Sequence, residues 1–351
     1  MLESLKNKKT AIILFNLGGP DSKKAVKPFL FNLFNDKYII TLPKVFRYFL
    51  AWFISSRREK KAQGIYAYIG DKSPILDETK AQVTALEKVL KGELNSDHKV
   101  FISMRHWHPM SDEVIKNVLD YNPNEVILLP LYPQFSTTTS LSSIEDFLRK
   151  TKKKLPNIID KTTCCYPKEN SFIQSHVDLI TKSFEQIKDK NNCRILFSAH
   201  GLPKKIIESG DPYQWQIENT VKEIMEQVPF SGVDHRISYQ SRVGPLEWIG
   251  PNTEDEIKKA GEEQKELLIV PVAFVSEHSE TLVELDIEYK EIAAKYGINY
   301  VRVPTLSCND YFIESLKNII INASNFDSSF LYSNEMKRIC PSSYSKCPCK
   351  K

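Results

Sequence analysis

The chain has 351 residues, 41% of them hydrophobic and 26% charged, the balance of an ordinary soluble globular protein with room for two domains. Forty-eight basic and 44 acidic residues leave a net charge of +4 with the lysines scattered; that excess is too small for a nucleic-acid surface, and no RNA- or DNA-binding motif is present. No apolar run reaches the roughly 20 residues that span a bilayer. The opening MLESLKNKKT runs straight into AIILF and is read as carrying no signal or transit peptide, which points to the cytoplasm.

Apolar, β-branched runs predict strands at 10–16, 100–104, 126–130, 194–199, 236–240, 267–275 and 299–303. Amphipathic spacing predicts helices at 78–90, 112–119, 140–150, 171–187, 214–225 and 310–321. Such alternation is the pattern of βαβ units. The expected fold class is α/β, with two similar Rossmann-like domains, each a parallel sheet flanked by helices, and an active-site cleft between them. Expected boundaries are 9–165, 166–325 with the metal site, and a C-terminal extension at 326–351. Early in the first domain the segment 42–54, LPKVFRYFLAWFI, is followed by SSRREKK. An aromatic patch beside basic residues suits a membrane interface, and a core helix ending in a charged turn is the alternative.

A faint internal repeat supports two related halves. LFNLGGP at 14–20 is echoed by LFSAHGLP at 196–203, and VILLPLYPQFSTTTSL by LLIVPVAFVSEHSETL. Aligning Pro130 with Pro271 sets Ser136 against Glu277 and Thr139 against Glu280 without a gap. The first half thus offers hydroxyls where the second offers carboxylates.

The stretch 267–289 is the richest in chemistry. A buried strand leads into a helix on which Glu277, Glu280, Glu284 and Glu288 form one stripe at about 100° per residue. A solvated acidic face is the plain reading of such a row. Its start at the carboxyl end of a strand, where open α/β sheets place ligands, favours cation handling. His200 ends another strand, where an imidazole ligates a metal or accepts a proton, or simply caps the turn. One imidazole with carboxylates suits Fe²⁺, Mn²⁺ or Zn²⁺. Arg105 in MRHWHP is fit to bind a carboxylate, and Trp248 lies in the Gly/Pro-rich YQSRVGPLEWIGP together with Arg242. There is no G-x-G-x-x-G, P-loop lysine or nucleophile elbow.

NLGGPD, MRHWHP, PLYPQFSTTT, SAHGLP, GDPY, YQSRVGPLEWIGP and SEHSETLVELDIEY, in this order, resemble ferrochelatases over about residues 10–325. The resemblance implies insertion of Fe²⁺, as substrate, into protoporphyrin IX, with His200 and Glu280 as the metal-binding and catalytic pair. Glu277, Glu284 and Glu288 are then expected to relay iron or protons, and Arg105, Ser136, Thr137 and Trp248 to contact the porphyrin. The chain departs from the eukaryotic pattern, which has an arginine just before the IGxxSP element, by carrying Tyr68 there. Coproporphyrin as substrate, or metal binding without catalysis, are the rival functions; the apolar lip at 42–54 favours protoporphyrin and contact with the cytoplasmic membrane surface. A homodimer is left open.

Seven cysteines in such a protein are not a disulfide framework. Cys340, Cys347 and Cys349 form C-x₆-C-x-C at the end of the chain. Some ferrochelatases hold a [2Fe–2S] cluster with such a tail, which implies Cys165, or its neighbour Cys164, as the fourth thiolate beside these three. A zinc site or free thiols are the alternatives.

Overall fold

The computed structural model describes residues 8–94, 96–152, 154, 158–325 and 330–349. The residues ahead of the first strand, 1–7, and residues 326–329, 350 and 351 of the expected extension lie outside them. The chain divides into two compact units, Met1–Tyr166 with Ile313–Ile339 and Pro348–Lys351, and Pro167–Phe312 with Cys340–Cys347.

In the first unit the strands are β1 (Lys9–Asn16), β2 (Asp97–Met104), β3 (Glu125–Pro130) and β4 (Ile159–Cys165). In the second they are β5 (Cys193–His200), β6 (Asp234–Gln240), β7 (Glu266–Pro271) and β8 (Tyr300–Arg302). A last strand, β9 (Phe330–Ser333), returns to the first sheet. All pairings are parallel, in the orders β2-β1-β3-β4-β9 and β6-β5-β7-β8. Leaving β9 aside, the two orders are the same, and the expected α/β class with two parallel sheets is what the chain forms. Central strands buried on both faces require continuous apolar runs, and ILLP of β3 and LLIVP of β7 supply them.

The repeat is also one of register. Phe15 stands beside Pro130 in the first sheet and Ser198 beside Pro271 in the second. Leu17, just past the end of β1, and His200, the last residue of β5, each two residues further on, therefore hold equivalent positions in the two sheets. Each sheet carries its own core. Ile13, Phe15, Leu128 and Phe147 cluster in one unit, and Leu196, Ile269, Leu285 and Tyr289 in the other.

Five elements differ from expectation. The strand expected at 267–275 ends at Pro271, because the residues beyond it turn to form the site. The carboxylate-bearing helix is a π-helix over Glu280–Tyr289, continuing as an α-helix over Lys290–Lys295. A short π-helical turn, Thr137–Leu141, follows the equivalent strand of the first unit. Strands β4 and β9 were not anticipated; Thr162, Thr163 and Lys161 interrupt the apolar signal of β4 although all three are buried.

Candidate active site

His200 is the last residue of β5, and Gly201 after it turns the chain. No larger residue fits at that turn: a Cβ would stand 2.9 Å from the Gln240 carbonyl and 3.3 Å from the Trp248 ring. The close fit brings the strand end, the loop after β6 and Trp248 together. His200 Nδ1 lies 2.9 Å from Glu280 Oε2, with side chains 38% and 30% exposed. Nε2 of His200 has no hydrogen-bond partner among the described residues, and Tyr213 donates to the His200 carbonyl at 3.1 Å. An imidazole anchored through one nitrogen by a carboxylate, with the other nitrogen free, is the arrangement of a metal-ligating histidine. It is equally that of a base whose tautomer is set.

The charges of the pair are mutually reinforcing. Desolvation opposes ionisation of both groups, but the Glu280 charge raises the His200 imidazole above its ordinary value. The Glu280 carboxyl is held at about 2, where burial is outweighed by the His200 charge.

Glu284 follows one π-helical step later. Its carboxylate accepts from Ser241 N–H at 2.9 Å, Gln240 Nε2 at 3.0 Å, Tyr289 O–H at 2.7 Å and the Ser241 hydroxyl. Burial and the Glu280 charge nevertheless push its carboxyl up. Two neighbouring carboxyls whose pKa values are driven apart suit separate acid and base roles. Gln240 also donates to the Glu280 carbonyl at 3.0 Å, tying the π-helix to the end of β6.

The remaining carboxylates of the row part company. Glu277 turns to Arg302, with Nη1 at 2.6 Å, and accepts from Thr305 N–H at 3.1 Å and Thr281 O–H at 2.5 Å. Glu288 is exposed and makes no hydrogen bond or ion pair among the described residues. Trp248 packs on Gly201, with Nε1 buried and unpartnered among the described residues. His278, which the sequence left without a role, donates its N–H to Thr281 and accepts the Glu280 N–H on Nδ1 at 3.2 Å, shaping the start of the π-helix.

In the first unit, Arg105 leaves β2 and is paired with Asp36 at 2.9 Å. Ser136 is buried and caps its own turn, accepting from Thr138 N–H at 3.1 Å, while Thr137 is half-buried. Cys164 Sγ lies 3.4 Å from Cys349 Sγ and 3.6 Å from Cys165 Sγ. In the second unit, Gln216 Nε2 donates to Cys340 Sγ at 3.2 Å, and Cys347 is also buried. Among the described residues no three His, Cys, Asp or Glu side chains are placed to hold a metal ion.

Residues 9–324 match the family model described as Ferrochelatase. Proteins named ferrochelatase from Rickettsia bellii (strain OSU 85-389), Rickettsia felis and Pelagibacter ubique are 55%, 54% and 52% identical to it. These matches cover 99%, 98% and 97% of this chain and 96%, 98% and 98% of the relatives. Among solved structures, SirB from Bacillus subtilis with Fe3+ aligns with a TM-score of 0.53 at 11% identity, covering 91% of this chain and 96% of that one; this is a likeness of fold alone. A family match over nearly the whole chain and relatives above half identity lead to one assignment: the chain belongs to the ferrochelatase family.

Proposed function

We propose that the chain inserts Fe²⁺ into protoporphyrin IX to give protohaem, the last step of haem biosynthesis. The observation that carries the site reading is the His200–Glu280 pair, 2.9 Å apart with Nε2 of the imidazole free. As Fe²⁺ enters the ring, two pyrrole N–H protons leave, so iron must be held loosely and a base must stand near. His200 meets both needs when neutral, as iron ligand or proton acceptor, with Glu280 orienting it and balancing its charge. A pair of ligands suits an ion in transit better than a closed cage, which would retain it. Glu284, whose carboxyl is raised, takes protons onward, and exposed Glu288 opens that path to solvent. Glu277 is the least suited of the row to a relay, since the Arg302 guanidinium beside it holds its carboxyl below its ordinary value. Arg105, Ser136, Thr137 and Trp248 are proposed porphyrin contacts, Arg105 for a propionate and Trp248 for a ring face.

The test is iron insertion assayed side by side with protoporphyrin IX and coproporphyrin III. His200→Ala and Glu280→Ala are expected to lower kcat at least about a hundredfold, the lower end for a removed acid–base group, while folding normally. Full activity in both folded variants would reject the site, and preference for coproporphyrin III would reject the substrate.

Two further parts belong to this reading. The helix Lys44–Ala67 is proposed to rest on the cytoplasmic membrane surface, supported by its uncovered aromatic side chains; no helix among the described residues is long and apolar enough to cross a membrane. The tail cysteines, with Cys164 or Cys165, are proposed to hold a [2Fe–2S] cluster. What supports this is donor chemistry: five buried thiols, of which the Cys164–Cys349 pair at 3.4 Å has about the spacing of two thiolates on one tetrahedral iron. Such a cluster would supply cross-linking of the tail rather than a step of insertion. Anaerobically purified protein without acid-labile sulfide would remove it.

A further inference from the structure

The first unit holds a buried polar knot that the iron chemistry does not use. Asp36, just beyond the helix Val26–Phe34, has a fully buried side chain. Its Oδ1 accepts the Tyr38 N–H at 3.0 Å. Its Oδ2 faces Arg105 Nη2 at 2.9 Å and also accepts the Ser142 hydroxyl proton. Arg105 Nε in turn donates to that Ser142 oxygen at 2.7 Å. Ser142 opens the helix Ser142–Thr151, so the anchor sits on a rigid element. His106 Nε2, 3.8 Å from Asp36 Oδ2, is too distant to compete.

One edge of the guanidinium is thus fixed at two points. The other end is open: Nη1 makes no hydrogen bond or ion pair among the described residues, and the side chain keeps 19% exposure. Burying a carboxylate is costly and is tolerated where a charge and hydrogen bonds satisfy it, as here. An arginine held along one edge is a preorganised receptor for a planar anion on the other.

We propose that Asp36 and Ser142 are positioning residues that hold Arg105 with its open edge ready for a carboxylate of the porphyrin. This rests on the assignment of Arg105 to porphyrin binding. Neither residue touches substrate. Their loss frees the guanidinium to rotate, which weakens binding of ground state and transition state alike and so raises KM while leaving kcat nearly constant.

Steady-state insertion into protoporphyrin IX is measured for the parent, Asp36→Asn, Ser142→Ala, Arg105→Leu and the Asp36→Asn/Arg105→Leu pair. Asp36→Asn and Arg105→Leu are each expected to raise the porphyrin KM about tenfold, near the low end for a hydrogen bond to a charged group. The kcat of each is expected to stay within about twofold, with the double variant no worse than Arg105→Leu alone. Ser142→Ala, which removes the Nε acceptor and the hydroxyl donor to Asp36, should raise KM about threefold, and it carries the test should Asp36→Asn fail to fold. An unchanged KM in the folded Asp36 and Ser142 variants beside a raised KM in Arg105→Leu overturns this inference alone. Additive effects in the double variant also overturn it. An unchanged KM in Arg105→Leu overturns the porphyrin role of Arg105 and the inference with it.

Discussion

Glu277 accepts from Arg302 Nη1 at 2.6 Å and from the Thr305 N–H at 3.1 Å, and Arg302 spends its remaining nitrogens on Asp286 at 2.8 and 2.6 Å. Burial opposes the Glu277 charge, but Arg302 outweighs it and holds the carboxyl below its ordinary value. A carboxyl depressed in the folded state stabilises above the unfolded pKa of about 4.3, and this stability is lost as pH falls through the lowered folded value. Glu277→Gln is therefore expected to lower the urea midpoint at pH 7 by the equivalent of about 1–3 kcal/mol. The gap to the parent should close below about pH 4. Urea titrations at several pH values would show it, and a gap constant down to pH 3 would deny the ion pair that role. The same residues show what sequence can and cannot tell. The spacing of Glu277, Glu280, Glu284 and Glu288 announced a row, and the strand end announced a site. Which carboxylate meets a histidine, an arginine, a hydroxyl cluster or water depends on His200, Arg302 and Ser241, each brought in by another strand or loop. Those meetings are tertiary facts without a local signal.

At the scale of elements, the helix expected to carry all four glutamates carries Glu280, Glu284 and Glu288, with Glu277 in the loop ahead of it, and it departs from α geometry. Acidic residues four apart read equally well as one face of an α-helix, and only the wider π turn lines them up more closely. What holds that turn comes from outside it: Gln240 caps the Glu280 carbonyl, and Glu284 clamps Ser241, whose φ of 62° is left-handed. The segment 42–54 presents the opposite case. Its composition left membrane contact and core packing both open, and the fold decides which residues are covered. In the helix Lys44–Ala67 the buried positions are Ala51, Ser55 and Tyr66, whereas Phe46, Phe49 and Trp52 are 67%, 64% and 56% exposed. Uncovered aromatics on one helix, with Arg57, Arg58, Lys60 and Lys61 following in sequence, suit an interface of anionic lipid. Inserting two aromatic rings contributes at least about 3 kcal/mol, more than a hundredfold in partitioning. The Phe49→Ser/Trp52→Ser protein is accordingly expected to lose co-sedimentation with phosphatidylglycerol-containing vesicles while keeping its melting temperature. Vesicle binding equal to that of the parent would count against the membrane face.

At the scale of the whole chain, the two units share one plan and one crossing completes it. With β9 left aside, both sheets run in the same order, and both place a π turn after the third strand, so the carboxylates of the second unit stand on a frame the first unit also has. The return of the chain is the part the sequence hid. The helix Asp310–Ser324 passes from residues of the second unit into the first, and the four-residue β9 pairs with β4, too short a run to stand out. A buried lysine secures the join within the first unit. Lys161 Nζ lies 2.8 Å from Glu125 Oε2 and donates to the Ser324 carbonyl at 2.9 Å, with no side-chain exposure. Glu125 also meets Lys8 at 2.9 Å and Thr10 Oγ1 at 2.9 Å. Replacing one partner of a buried pair leaves the other charge uncompensated, at about 3–5 kcal/mol. Lys8, which is partly exposed, still meets Glu125, so Lys161→Met should cost less, about 2–4 kcal/mol. The urea midpoint measures this, and amide exchange should show the end of the helix Asp310–Ser324 opening first, because Ser324 has lost its tether. Adding Glu125→Leu removes the stranded charge and is expected to recover part of the loss. A Lys161→Met protein as stable as its parent would mean that the returning segment is held by packing alone.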